Sequence, residues 1–308
     1  MKIAAFYYTQ SGQGLEILQS VCTPLAKVGH EIVYAEIVPE TAFPYPWTYD
    51  SFFQAFPESR LGIGCPVKVD ALDRATEAEL VIIAYQPWFL SASIPIHGFF
   101  QDERVRTYLR NKAVITLCGC RNMWAMAQTR TGAYLAAAGA RWVGSIVLQD
   151  RYPNLVSVIT ILRWLIGGRK ERSGLWPAAG VSSADIAQAA TFGHVINAAL
   201  TTAGNGYVGL QEQLMQAGAI RYKPSIVFIE KVGSRMFGLW AAWVRRKGAY
   251  NSPARAGRLK LFRYYLFTVL FIVSPLGLPL LFYLPWLFRR YAIRKDRERR
   301  CYALNPTE

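Results

Sequence analysis

Thr9-Gln10-Ser11-Gly12-Gln13-Gly14 sets two hydroxyl donors among two glycines, between an apolar run and an amphipathic one. Such a loop can aim successive backbone N–H groups at one point. The unpaired amides and positive dipole end of a following helix add to it, which makes an anion site. No Lys or Arg lies in the loop, so a phosphate here is held by neutral donors alone. A Walker loop needs its Lys-Ser/Thr pair and a dinucleotide fingerprint needs G-x-G-x-x-G; both are absent from this stretch. The plain alternative is an ordinary glycine-rich turn between strand and helix.

Two further segments carry candidate chemistry. Gln86-Pro87-Trp88-Phe89 offers a flat apolar wall, and in Gly119-Cys120-Arg121-Asn122-Met123-Trp124 either Arg121 or the loop amides suit developing negative charge. Core packing explains Trp88 and Trp124 equally well, and a helix-end ion pair explains Arg121. Of the three histidines, His97 is the best-placed candidate base. His194 reads as packed and His30 as opening a strand edge. Asp150 and Tyr152 also sit at a strand exit, with a solvated turn as the alternative. No Ser/His/Asp order, paired carboxylates or metal-ligand cluster stands out, and Cys118-x-Cys120 has no second pair to complete a zinc site. Five irregularly spaced cysteines read as free thiols of a reducing cytoplasm.

The elements that must position these groups alternate. Ile3–Tyr8, His30–Val38, Glu79–Tyr85, Ala113–Leu117 and Arg141–Leu148 read as strands. Helices are expected over Leu15–Val28, around Ile96–Leu109 and over Trp124–Ala138, Leu155–Ile166, Ser183–Leu200 and Leu210–Ala217. The unbroken apolar run Glu79–Tyr85 is what a parallel sheet covered on both faces requires. Strands alternating with helices predict a doubly wound α/β sheet, whose ligands bind at the carboxyl ends of the strands. The loops after strands one, three and four all open on that edge. Residues 39–66 hold many prolines and aromatics, including Phe43, Tyr45, Trp47, Phe52, Phe53 and Phe56. They predict an irregular flap packed over a site.

Charge divides the chain. The net charge is +15, yet residues 1–230 carry only +2 and residues 231–308 carry +13, from 16 basic and 3 acidic side chains. Tyr264 to Phe288 is 25 residues without a charge, and about 20 apolar residues suffice to cross a bilayer core. Anionic membrane lipid is therefore the expected partner, and nucleic acid is not. Met236, Phe237, Trp240, Trp243 and Val244 share a helical face, as in a helix lying in a membrane interface. Ser274 to Pro279 reads as the bend of a re-entrant hairpin near 264–288; a kinked single span and a soluble buried helix are the alternatives. The N-terminus opens directly on a strand, so no signal peptide is expected. Domains are expected at 1–205 and 206–308.

Thr9-Gln10-Ser11-Gly12-Gln13 resembles the T-x-S/T-G-x-T/N phosphate loop of flavodoxin-like proteins, which grips the phosphate of FMN. Gln86-Pro87-Trp88-Phe89 with Pro95 and Phe99 resembles the P-L-x-W-F…P…F/W pattern of quinone reductases in the same group. The resemblance implies a five-stranded sheet of order 2-1-3-4-5. It also implies FMN held by Thr9, Gln10, Ser11, Gly12, Gln13 and Gly14, by Gln86, Pro87, Trp88 and Phe89, and by Gly119, Cys120, Arg121, Asn122 and Trp124. His97, Arg121, Asp150 and Tyr152 are then the catalytic candidates.

A narrower resemblance rests on Tyr7-Tyr8-Thr9-Gln10-Ser11-Gly12-Gln13, Phe43-Pro44-Tyr45-Pro46-Trp47-Thr48, residues 50–59, residues 119–124 and Leu148-Gln149-Asp150-Arg151. With the basic, apolar C-terminus, these segments are similar to the flavodoxin-like aromatase of dialkylresorcinol biosynthesis, often labelled a condensing enzyme. This implies dehydrogenation of a 2,5-dialkylcyclohexane-1,3-dione to a resorcinol at the cytoplasmic face of the inner membrane. A ketosynthase is the implied protein partner; a homodimer is a separate expectation. A condensing role does not fit, because no Cys-His-Asn set of the thiolase kind is present. A quinone reductase or protoporphyrinogen-type oxidase, and a non-catalytic membrane adaptor, are the other readings.

Overall fold

Leu-Val-Ile-Ile-Ala-Tyr, residues Leu80–Tyr85, is buried at every position because helices cover both faces of the sheet it runs through. The computed structural model describes residues 1–201, 207–273 and 290–304. Its main sheet comprises β1 (Lys2–Tyr7), β2 (Glu31–Glu36), β3 (Leu80–Tyr85), β4 (Ala113–Cys120) and β5 (Arg141–Gln149). Every pairing is parallel and the order is 2-1-3-4-5. This is the flavodoxin-like doubly wound arrangement. The chain reverses direction of progress between β1 and β3, and the loops on either side part there to leave a crevice. β4 continues through Cys120, so the expected exit loop at Gly119 begins at Arg121 instead.

Helix α1 (Gln13–Lys27) buries Ile17, Leu18, Val21, Cys22 and Leu25. Two helices expected to be continuous are interrupted, the first at the capping residue Asp102 and the second at Ala189. Asp102 accepts from the Arg104 and Val105 amides at 2.8 and 3.4 Å, separating α2 (Ile94–Gln101) from the turn Glu103–Leu109. Ser182 caps Ser183–Gln188, and α5 (Ala190–Thr201) follows after Ala189. Between them in the chain lie α3 (Ala125–Ala137) and α4 (Asn154–Gly167). At Gly193 of α5 an added Cβ would come within 2.1 Å of the Val21 carbonyl, so glycine there allows α5 to pack on α1.

Residues 210–221, a short helix and the turn after it, pack along the outer edge of β5. The Val147 amide donates to the Ala219 carbonyl at 2.8 Å, and the Ser145 amide to Gln211 Oε1 at 2.7 Å. The exposed side of edge strand β5 is covered in this way.

The proline-rich segment after β2 is more regular than its composition predicts. Thr48 and Ser51 form a reciprocal capping box on a turn of helix at Tyr49–Gln54, and a second turn follows at Phe56–Leu61 with Pro57 in its first turn. Proline is tolerated there because the first amides of a helix have no intrahelical acceptor.

Beyond residue 223, α6 (Pro224–Arg245), α7 (Ala256–Thr268) and α8 (Arg290–Cys301) pack back onto this body. Phe237, Trp240, Ala241 and Val244 of α6 meet Phe53, Phe56, Leu259 and Phe262, with Phe56 and Phe262 stacked at 3.6 Å. The face of α6 that resembled a membrane-lying stripe is thus largely a protein–protein contact, because the aromatics of the 39–66 segment give it a partner. Among the described residues no helix is long and apolar enough to cross a membrane. The expected bend at Ser274 to Pro279, and the uncharged stretch on to Phe288, lie outside the described residues.

One buried ion pair ties the two regions. Arg255, with no exposed surface, donates twice to the Glu58 carboxylate at 2.8 Å and once to the Gln54 carbonyl. Removing one member strands a buried charge. Glu58→Ala is expected to cost about 3–5 kcal/mol, read as a lower urea midpoint; an unchanged midpoint would refute this packing.

Candidate functional site

The loop after β1 does what its residue types allow. Gly12 sits at φ 84°, a left-handed conformation that favours glycine, and its carbonyl accepts from the Leu15 and Glu16 amides. No side chain caps α1 at Gly12, so the positive helix end faces outward. The Gly14 amide reaches Thr9 Oγ1 at 3.3 Å, and a Cβ on Gly14 would crowd that hydroxyl at the same distance. Ser11 lines the adjoining cleft. The two glutamines have other tasks. Gln13 is buried and exchanges two 3.0 Å bonds with the Val181 backbone, while Gln10 accepts from Trp47 Nε1 at 3.2 Å. Their amides can face a ligand, but their side chains hold the walls together.

The cleft encloses about 920 Å³, counting the part open to solvent, a size suited to a small-molecule site. One wall is a hairpin that pairs Pro87–Trp88 with Ser91–Ala92. Its turn residues Phe89 and Leu90 adopt φ of 47° and 61°, as the tight two-residue turn requires. Ser59 Oγ braces the hairpin by donating to the Trp88 and Ala92 carbonyls at 2.8 and 3.0 Å. Trp88 lies edge-on to Tyr8, Phe43 and Trp47. Tyr45, Trp47 and Phe52 of the 39–66 segment form the roof, which realises the expected flap. The Trp47 amide donates to the Leu165 carbonyl at 2.7 Å, joining the roof to α4.

Three polar features sit at the apolar walls. Gln86 lines the cleft with its Nε2 buried and unpartnered. A buried amide donor without an acceptor is costly, so it calls for a ligand carbonyl. Gly119 and Cys120, at the end of β4, form the floor. Arg121 follows, donating to the Asn154 carbonyl and Oδ1 and to Ser157 Oγ. Burial lowers its pKa to about 10, partly offset by Cys120, Asp150 and Glu230, so it remains a cation at neutral pH. Its tether is a helix N-terminus rather than the carboxylate of an ion pair.

Other expected site residues lie elsewhere. Trp124 is core, 2 % exposed, and Asn122 bonds to Asn154 Oδ1 without lining the cleft. His97 is fully buried on α2, between Ser91 Oγ, the Ser59 carbonyl and the Tyr134 hydroxyl. The sequence puts His97 just past the hairpin, but the helical turn carries its ring behind the wall. Asp150 is buried, accepts from the Tyr152 amide at 2.9 Å and neighbours the cleft residues Arg121 and Gly180 without lining the cleft itself, and Tyr152 is exposed to solvent. None of these three reaches the cleft, and among the described residues no carboxylate or imidazole lines it.

Several cleft residues carry no local signal. Ile161, Trp164 and Leu165 of α4 form the wall facing the hairpin, and Gly180 closes beside Trp164. An all-round apolar helix is equally consistent with a core or a lipid surface, so only tertiary placement resolves it. Glu230, 105 positions away in sequence, caps α3 by accepting from the Ala125 and Met126 amides at 3.1 and 2.7 Å. Burial raises its pKa to about 7, against the lowering effect of those amides.

No protein-family description matches the chain, and no curated protein sequence does. Among solved structures, a flavoprotein in complex with FMN from Lactobacillus acidophilus is similar at 15 % identity and a TM-score of 0.39, over 47 % of this chain and 92 % of that one. A flavodoxin, WrbA-like protein from Agrobacterium tumefaciens gives 10 % and 0.37, over 62 % and 92 %. A flavone reductase gives 13 % and 0.38, over 66 % and 64 %.

The buried imidazole makes a pH prediction. Desolvation lowers the His97 pKa to about 4, the Ser59 carbonyl opposing and Arg130 adding to the shift. With the folded value below the unfolded one of 6.5, its contribution is complete above pH 6.5 and is lost as pH falls towards 4. His97→Gln is expected to flatten this acid limb by roughly 2–4 kcal/mol relative to the parent. Denaturant midpoints at several pH values check it; parallel limbs would contradict the placement.

Proposed function

We propose that the chain is an FMN-dependent oxidoreductase that aromatises a lipophilic cyclohexane-1,3-dione by removing two hydrogens from its ring. The observation that carries the cofactor assignment is the meeting, in one cleft, of a cation-free phosphate cradle, aromatic walls and the orphaned Gln86 amide. Gly14 leaves room where a side chain would crowd Thr9. Thr9, Ser11 and the first amides of α1 hold the phosphate, Trp88 and Phe89 with Trp164 bound the ring, and Gln86 donates to its carbonyl edge. FMN bound there supplies a two-electron acceptor for hydride.

The chain's residues then set the terms of the reaction. Arg121 stays cationic at the cleft floor and offsets negative charge as electrons arrive. The roof of Tyr45, Trp47 and Phe52 excludes water from the reacting face. The hydride comes from the ring carbon β to a ketone; the proton comes from the α carbon beside it, which the neighbouring ketone acidifies, and is released to solvent. Loss of a hydride and a proton followed by enolisation gives the resorcinol. The identity of the dione rests on the resemblance of residues 7–13, 43–59, 119–124 and 148–151 to the dialkylresorcinol aromatases. Two alkyl chains make such a substrate partition into lipid, which suits a protein seated at the inner face of a membrane beside a ketosynthase that supplies the ring.

Anaerobic addition of a 2,5-dialkylcyclohexane-1,3-dione is expected to bleach bound flavin stoichiometrically and release the resorcinol. Bleaching by a porphyrinogen, or reoxidation of the reduced flavin by a quinone, with no bleaching by the dione, would overturn the substrate in favour of the related oxidase or reductase. Arg121→Met is expected to lower the flavin midpoint potential by on the order of 30 mV or more, a tenfold change for two electrons. Spectroelectrochemistry measures this without turnover; an unshifted potential would mean that Arg121 does not stabilise the reduced flavin.

A further inference from the structure

Two helices bracket the uncharged stretch of the sequence, and both are fastened to one body. On the N-terminal side, α7 buries Leu259 and Phe262 against Phe56 and carries the Arg255–Glu58 pair at its foot, and Phe267 reaches Phe53. On the C-terminal side, Asp296 of α8 accepts from Lys231 Nζ at 2.6 Å and from the Tyr222 hydroxyl at 2.7 Å. Arg300 donates to the Ala125 carbonyl at 2.7 Å, and Gln211 to the carbonyl of the fully buried Cys301 at 2.8 Å. A single crossing needs roughly 20 apolar residues and delivers its two ends to opposite aqueous faces about 30 Å apart. Both anchors lie instead on the one body that carries the cleft.

The helices that carry these anchors expose both apolar and basic side chains. Val232, Met236 and Leu239 lie at i, i+4, i+7 on α6 and are exposed; so are Leu261 and Tyr264 on α7 and Phe271, Ile272 and Val273 just beyond it. Arg246 and Lys247 just past α6, Lys260 on α7, and Lys295, Arg297 and Arg299 on α8 are exposed as well. With 16 basic against 3 acidic residues after position 230, the charge is complementary to anionic lipid.

We infer that this end of the molecule seats monotopically on an anionic bilayer, with both basic flanks kept on one face. The inference deepens the membrane part of the proposed function and depends on it. The seat is built by the exposed apolar residues of α6 and α7 with lysine and arginine at the headgroups.

The test uses the full chain on sealed phosphatidylcholine vesicles containing phosphatidylglycerol. Lys260→Cys and Lys295→Cys variants are treated from outside with a membrane-impermeant maleimide, the parent chain giving the background. The expected result is flotation with the vesicles and equal labelling at both positions, unchanged by detergent. Protection of either position until detergent is added would mean a crossing and would overturn the monotopic arrangement while leaving membrane binding intact. Failure to float would remove the membrane reading and this inference together. Leu261→Glu with Ile272→Glu, both at exposed sites, is expected to weaken vesicle binding roughly tenfold with an unchanged circular dichroism spectrum. Undiminished binding would show that these residues are not the seat.

Discussion

Everything facing the cleft hangs from the carboxyl ends of strands that β3 holds in place. Because β3 is buried along its whole length, its register with β1 and β4 brings Tyr8, Gln86 and Cys120 to one edge. The loops leave that edge in different directions, and the gap between the first and third strands is where the cradle, hairpin and floor meet. A slip of one residue would reverse the faces of a strand, but the parallel pairing and the two covered faces leave no alternative register of comparable burial.

The roof is braced from three sides. Trp47 is held by Gln10 from the cradle and by Leu165 from α4, and Ser59 ties the next helical turn to the hairpin. Glu58, beside Ser59, is gripped by Arg255 from the C-terminal region. A continuous set of ring contacts runs from Trp47 through Phe52 and Phe89 to Phe53 and Phe267. The C-terminal helices are therefore part of the wall behind the site, and a disturbance in them has a packed route to the cleft.

The sheet and the glycine turn before α1 were legible in the sequence because they obey local rules: an unbroken apolar strand, glycines at a strand-to-helix turn, helices ended by glycine. The hairpin at Trp88 was legible as chemistry but not as shape, since two non-glycine residues take positive φ there. His97 misled because proximity in sequence is not proximity across a helical turn, and Trp124 because the first residues of a helix can point into the core. Glu230 and Arg255 were invisible, each acting on a partner more than a hundred positions away. The aromatic face of α6 looked like a lipid-lying surface because protein core and lipid select the same side chains; only the partner in the 39–66 segment separates the two.

The central claim is that the cation-free elbow before α1 grips a phosphorylated ring by neutral donors. Flavin-free protein titrated with FMN and with riboflavin, followed by quenching of Trp47, Trp88 and Trp164 at the cleft, tests it most directly. Several charge-assisted hydrogen bonds, each about 1.5–3 kcal/mol, predict FMN binding on the order of a hundredfold or more above riboflavin. That ratio is expected to change little with salt, since no lysine or arginine contributes to the elbow. Equal affinity for the two flavins, or a preference that collapses as salt is added, would contradict the account.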